Sequence, residues 1–165
     1  MLEARRRENA QTPQIASSLF RLHVPKPLLL DRRGWYEAGK IHEALSGDMV
    51  RSKSEVIIAN LLHKREAPFY YEKLLLAGDG TMRLPDFTLS CRGETYYWEH
   101  LGLLDQTQYA SEWERKRAWY QRWFPDRLVV TQEGPKLSHD AERLTHALQA
   151  GELDTLRDFF PRIAP

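Results

Sequence analysis

Arg83-Leu84-Pro85-Asp86-Phe87-Thr88-Leu89-Ser90-Cys91-Arg92-Gly93-Glu94-Thr95-Tyr96-Tyr97-Trp98-Glu99-His100-Leu101-Gly102 is two runs of strand-favouring residues around Arg92-Gly93. Read as a two-residue hairpin loop, Arg92-Gly93 sets Cys91 opposite Glu94, Leu89 opposite Tyr96, Phe87 opposite Trp98 and Asp86 opposite Glu99. Alternation supports that register. Phe87, Leu89, Tyr96 and Trp98 fall on one face, a core face, while Asp86, Thr88, Tyr97 and Glu99 fall on the other. Directly opposed side chains have Cβ atoms about 4.5–5.5 Å apart. Two carboxylates so placed repel each other, and acids inside such apolar and aromatic strands need a reason. A hard cation with a preference for oxygen ligands supplies one. The competing reading is two surface acids on a solvated hairpin.

Outward from the hairpin, the pattern predicts an α/β (α+β) domain of order αβββαβ. A helix over 52–65 carries Val56, Ile57, Ile58, Ala59, Leu61 and Leu62 on its apolar side. Ser52 and Glu55 stand as in a capping box at its start. Pro68–Leu76 reads as a strand, Ala77-Gly78-Asp79-Gly80 as a turn, and Arg83–Ser90 and Thr95–Leu101 as two further strands. A long helix is expected from Gln106 to Phe124, stopped by Pro125. A strand over Arg127–Gln132 and one or two helices over 138–150 and 152–160 complete the pattern. Residues 1–50 read as an N-terminal extension or accessory segment, with Pro25, Pro27, Gly34-Trp35-Tyr36 and a short helix through Ala38 to Leu45. Residues 51–165 read as the main domain.

The 165 residues suffice for one domain with a real core. No apolar run is long enough to span a bilayer. Cys91 is the one cysteine, which excludes an internal disulfide and a cysteine-rich zinc site and fits a reducing, cytoplasmic setting. The net charge of +1 does not announce a nucleic-acid binder. Residues 1–53 nonetheless hold ten Lys and Arg against six Asp and Glu. No phosphate-cradling Walker sequence exists, so the chain alone is no motor. His139 and His146 lie about 10 Å apart along a helix axis, too far for one metal. Cys91, at the turn, has no evident base partner. The stripe Trp113, Trp119, Tyr120 and Trp123 suits a core better than a base-stacking platform.

Pro85-Asp86, a hairpin, then Glu99 in the next strand resembles the PD-(D/E)XK nuclease superfamily, whose restriction-endonuclease-like core has the order αβββαβ. The block Tyr97-Trp98-Glu99-His100-Leu101-Gly102, with a following helix carrying Tyr109, Trp113, Lys116 and Tyr120, is similar to a bacterial and phage branch whose domains occur alone or fused to DNA helicases. The resemblance implies a nuclease acting on DNA, with Asp86 and Glu99 binding Mg²⁺ (Mn²⁺ substituting). It also implies the His100 backbone carbonyl as a further ligand and Glu55 as the acid completing the site. Glu55 reads equally as the capping residue.

The pattern departs from the superfamily at one position: the lysine due two residues after the Glu is Leu101. Either another lysine replaces it or the site is impaired. Lys116 is the candidate replacement, since Tyr109, Trp113, Lys116 and Tyr120 share one helical face. Its alternative is a side chain that snorkels to solvent. Arg115, Arg117 and Arg122 are candidate phosphate contacts or a solvated helix face. Two functions follow: a Mg²⁺-dependent deoxyribonuclease, which a helicase or other DNA-processing protein would accompany, or a catalytically silent fold used for DNA binding or protein docking.

Overall fold

The computed structural model describes residues 39–102 and 107–161, side chains from residue 110 onward in the second stretch. The readings of residues 1–38, of Gln106 and of the Tyr109 side chain lie outside the described residues. The chain divides into two units, 1–40 and 41–165. Residues 41–50 therefore belong with the second unit. There β1 (His42–Glu43) pairs antiparallel with β2 (Met49–Val50). This corrects the short helix expected up to Leu45. Gly47 at φ 87° and the Gly47 N–H to Ala44 carbonyl bond make a turn that folds the segment back on itself. Ala44 and Val50 are buried, and the Leu45 N–H donates to Asn60 Oδ1 at 2.7 Å.

Helix α1 (Lys53–Lys64) opens on the expected capping box, Ser52 accepting from the Glu55 N–H and Glu55 accepting from the Ser52 N–H. Glu55, Ile58, Ala59 and Leu62 are buried, whereas Ile57 is 41% exposed, so the apolar side is narrower than the run suggests. The expected strand Pro68–Leu76 is two pieces. β3 (Phe69–Tyr71) ends at Glu72, whose φ of 46° turns the chain out of the sheet. β4 (Leu75–Leu76) then pairs with β5 (Met82–Arg83) in a separate two-stranded sheet. For the same reason the run from Arg83 is broken at Leu84-Pro85-Asp86, and β6 spans Phe87–Cys91.

β7 (Glu94–Leu101) follows, then α2 (Thr107–Trp123), β8 (Leu128–Gln132), α3 (Leu137–Ala150) and α4 (Leu153–Arg157). The main sheet has the order β3-β6-β7-β8, with β7 and β8 parallel and the other neighbours antiparallel. The β6–β7 register is Phe87↔Trp98, Thr88↔Tyr97, Leu89↔Tyr96, Ser90↔Thr95 and Cys91↔Glu94, as the turn required. Arg92 (φ 54°) and Gly93 (φ 83°) both take positive φ, the condition of a type I′ turn.

Both faces of this sheet are covered. Phe87, Leu89, Tyr96, Trp98 and Val129 pack with residues of α1, α3 and α4. Tyr97, Leu128, Trp119 and Tyr120 form a second, smaller cluster under α2. Of the aromatic stripe of α2, Trp119 (8% exposed) and Tyr120 (0%) are core, and Trp113 and Trp123 pack against them partly buried.

If β1 and β2 are part of this unit, a chain beginning at Ile41 should melt in one cooperative transition. A chain beginning at Arg51 keeps the α1 cap but loses Ala44 and Val50. It should be less stable by about 1.5–3 kcal/mol, the worth of one buried aliphatic side chain. Denaturant unfolding of the two chains checks this; equal midpoints would place the hairpin outside the cooperative unit.

Candidate functional site

The β6–β7 ladder ends at Phe87↔Trp98. One residue earlier the chain no longer pairs through its backbone with β7. The Asp86 carbonyl accepts the Glu72 N–H at 3.1 Å, and its carboxylate Oδ2 accepts the His100 N–H at 2.7 Å. Asp86 therefore does not continue the ladder opposite Glu99, as the hairpin register had suggested. Its side chain fills the position where the strands part. The N–H and C=O of one strand residue point to the same side. The His100 carbonyl is therefore directed to the edge that holds Asp86, as a backbone ligand would need.

Glu99 is 3% exposed, on the α2 side of the sheet. Two side chains of α2 meet it. Tyr120 donates its hydroxyl to Oε1 at 2.7 Å, and Lys116 Nζ lies 2.5 Å from Oε2. The lysine thus points inwards, at the acid the sequence paired it with. Tyr120 was seen in the sequence only as an aromatic; a buried tyrosine hydroxyl needs a partner, and that need was the available signal.

Glu55 serves its cap and more. Its Oε2 accepts the N–H groups of Arg51 (2.8 Å) and Ser52 (3.2 Å) and the Tyr71 hydroxyl (2.9 Å). Its charge also reaches the hairpin acids, as one of the causes that lift both Asp86 and Glu99. Arg51 and Glu72, which the sequence did not single out, pair at 2.7 Å beside this network. Only the fold makes them neighbours.

The His100 ring points to the other face, between Thr131 and Glu133. Arg117 is held by Glu114 at 2.6 Å, and Arg122 lies over the Trp123 ring at 5.0 Å. Arg115 is exposed. The fold thus brings Lys116 to the acids and directs its neighbours Arg117 and Arg122 to other partners. His139 and His146 are exposed. Cys91 is buried, which pushes its thiol up and keeps it protonated.

Desolvation is the first cause that lifts both acids. For Asp86 the charge of Glu99 comes next, and the carboxyl stands well above the usual carboxylate range. For Glu99 the Lys116 charge and hydrogen bond come next and oppose the rise. Burial also raises Tyr120, with Glu99 adding to it, so the phenol remains a donor. Among the described residues no three His, Cys, Asp or Glu side chains are grouped to hold a metal ion. The available donors are two carboxylates and a backbone carbonyl. That all-oxygen set suits Mg²⁺ in kind, because the ion keeps several waters and takes few protein ligands.

Both acids are raised, so the folded state binds protons more tightly than the unfolded chain. Stability is then fullest below the ordinary carboxylate range and falls as pH climbs through the raised values. The melting temperature without metal should therefore drop as pH rises above about 4, where unfolded carboxylates ionise. Asp86→Asn should flatten the drop and raise the neutral-pH melting point. Thermal melts from pH 4 to 8 decide it; an Asp86→Asn curve parallel to wild type would remove Asp86 as the cause.

No family profile matches the chain, and no solved structure matches it. Over an alignment 68 residues long, which covers 39% of this chain, the sequence is 38% identical to the uncharacterized protein MJ1519 of Methanocaldococcus jannaschii. The match spans 5% of that protein's length.

Proposed function

We propose that the chain is a metal-dependent nuclease of the PD-(D/E)XK type that hydrolyses phosphodiester bonds in DNA. The observation that carries this reading is the convergence on Glu99 of Lys116 and Tyr120, beside Asp86, where the central hairpin opens. The element order adds support: a helix, three antiparallel strands, a crossover helix and a parallel strand, as in a restriction-endonuclease-like core.

In this reading Asp86, Glu99 and the His100 carbonyl hold Mg²⁺. When bound, the ion supplies Lewis-acid polarisation of the scissile phosphate and makes water more acidic. The protein's own groups divide the remaining work. Tyr120 fixes Oε1 of Glu99, which leaves Oε2 as the oxygen that can change partner. Lys116, already charged against Glu99, donates rather than accepts protons. It orients the attacking water and stabilises negative charge that develops on phosphate oxygens. Glu55 adds negative charge from the first helix.

A second reading, a silent nuclease fold that binds DNA or a protein partner, has its own observation. Lys116 occupies Glu99 Oε2, and no three-acid group is assembled among the described residues. Labelled linear, circular and single-stranded DNA incubated with Mg²⁺ or Mn²⁺ separates the two. Cleavage abolished by Asp86→Ala and Glu99→Ala upholds the enzyme; DNA binding without cleavage at any protein concentration upholds the silent fold.

Lys116→Met should retain DNA binding but lose at least about a hundredfold in single-turnover rate, the scale of a missing proton-handling group. Arg117→Ala should be near wild type, since Arg117 pairs with Glu114. Equal rates for Lys116→Met and wild type would remove Lys116 from the chemistry.

A further inference from the structure

His100 presents two sides to the protein. Its main chain meets the acids; its side chain, 5% exposed, turns to the opposite face of the sheet. There the ring is held at both nitrogens. Nδ1 lies 3.1 Å from Thr131 Oγ1 and Nε2 lies 3.1 Å from Glu133 Oε2. The same Thr131 oxygen accepts the Trp98 indole N–H at 2.9 Å. The same Glu133 oxygen accepts the Ser54 hydroxyl. Ser54 stands on α1, directly before Glu55.

The donors and acceptors assign the row. An indole N–H only donates and an ionised carboxylate only accepts. In a neutral ring Nε2 therefore carries the proton toward Glu133, and Nδ1 accepts the Thr131 hydroxyl proton. The chain runs Trp98 to Thr131 to His100 to Glu133, and Ser54 closes it from α1. Ser54 first and His100 second hold the Glu133 carboxyl below its usual range. The row of Thr131, His100 and Glu133 is not a nucleophilic relay. Thr131 is 3% exposed and its hydroxyl already serves Trp98 and His100.

We propose that the His100 side chain is a positioning residue: with Thr131, Glu133 and Ser54 it fixes the peptide that grips Asp86, and it ties α1, carrying Glu55, to the strand end carrying Glu99. The proposal rests on the metal-site reading above. Strand geometry gives the reason. Ring and peptide are joined at one Cα, so a ring clamped at two nitrogens leaves the His100 N–H and carbonyl little freedom to tilt. The N–H must meet Asp86 Oδ2 at 2.7 Å, and the carbonyl must share the same edge. A ligand set of only two carboxylates and one carbonyl tolerates little misplacement of any member. Groups that orient ligands in this way are commonly worth about 10–100-fold in metal affinity.

The test uses the full chain and two readouts. One is exchange of the His100 backbone amide, followed by NMR without metal. The other is direct Mn²⁺ binding. Glu133→Ala removes the exposed end of the row, and Glu133→Gln keeps an oxygen and an amide there. Because Glu133 is half exposed, both variants should fold, which circular dichroism checks. In Glu133→Ala the His100 amide should exchange faster than in wild type, and Mn²⁺ should bind about 10–100-fold more weakly. Glu133→Gln should recover most of both. An unchanged His100 amide, or unchanged Mn²⁺ affinity despite a lowered melting point, overturns the proposal. Faster amide exchange in a protein whose wild type binds no Mn²⁺ upholds the strut and overturns the metal reading beneath it.

Discussion

The arrangement of the acids depends on the register of one hairpin. Side chains alternate with a period of two along a strand, so a slip of one residue exchanges the faces. Such a slip of β7 against β6 would send Trp98 toward α2 and Glu99 into the cluster of Ile58, Leu89 and Leu144. A full-sized apolar side chain is worth about 1.5–3 kcal/mol on burial, and an unpaired carboxylate in that cluster would cost several kcal/mol more. The Arg92-Gly93 turn adds its own constraint, since a type I′ loop of two residues admits one register. The placement of the acids is therefore a consequence of core packing on the opposite face.

Packing brings the acids together; electrostatics decides what they need. Two unit charges about 4 Å apart at a protein surface interact by about 4 kcal/mol, in either sign. Glu99 has its compensation: an ammonium on one oxygen and a phenol on the other. Asp86 accepts the His100 N–H, and the Lys116 charge offsets only part of what burial and Glu99 impose on it. The uncompensated cost of ionisation thus falls chiefly on Asp86. A cation would gain most there, which is also where the His100 carbonyl is directed.

Several of these features were legible in the sequence because they are local or periodic. The hairpin register from Cys91↔Glu94 to Phe87↔Trp98, the Ser52–Glu55 cap and the C-terminal end of α2 follow from spacing alone. Lys116 was legible because a lysine on an aromatic helical face needs a partner, and the nearest unmet charge was the acid pair. The failures have a common physical origin. The break after Tyr71 depends on Glu72 taking positive φ, and its N–H is satisfied by the Asp86 carbonyl, 14 residues away. Residues 38–45 had a helical pattern too short to compete with a turn at Gly47 and pairing to Met49–Val50. The Arg51–Glu72 pair and the Ser54–Glu133 contact join segments that only the sheet brings together.

Leu101 shows why a residue's place in the chain and its place in space must be kept apart. It lies two positions after Glu99, hence on the same face of β7, and it is 4% exposed. A lysine there would start about 6.6–6.8 Å along the strand from Glu99, and strand geometry alone would deliver its ammonium. Here that space is apolar, and the charge arrives from α2. Lys116 and Tyr120 are one helical turn apart and hold the two oxygens of one carboxylate. Neither can keep its contact if α2 rotates or slides. The orientation of α2 is set in turn by Trp119, whose indole donates to Thr81, and by Tyr97 of β7, whose ring packs on Tyr120 and Phe124. Supplying the cation from the helix therefore makes the acids dependent on a hydrophobic interface, and through Thr81 on the β4–β5 hairpin, neither of which a strand-borne lysine would involve.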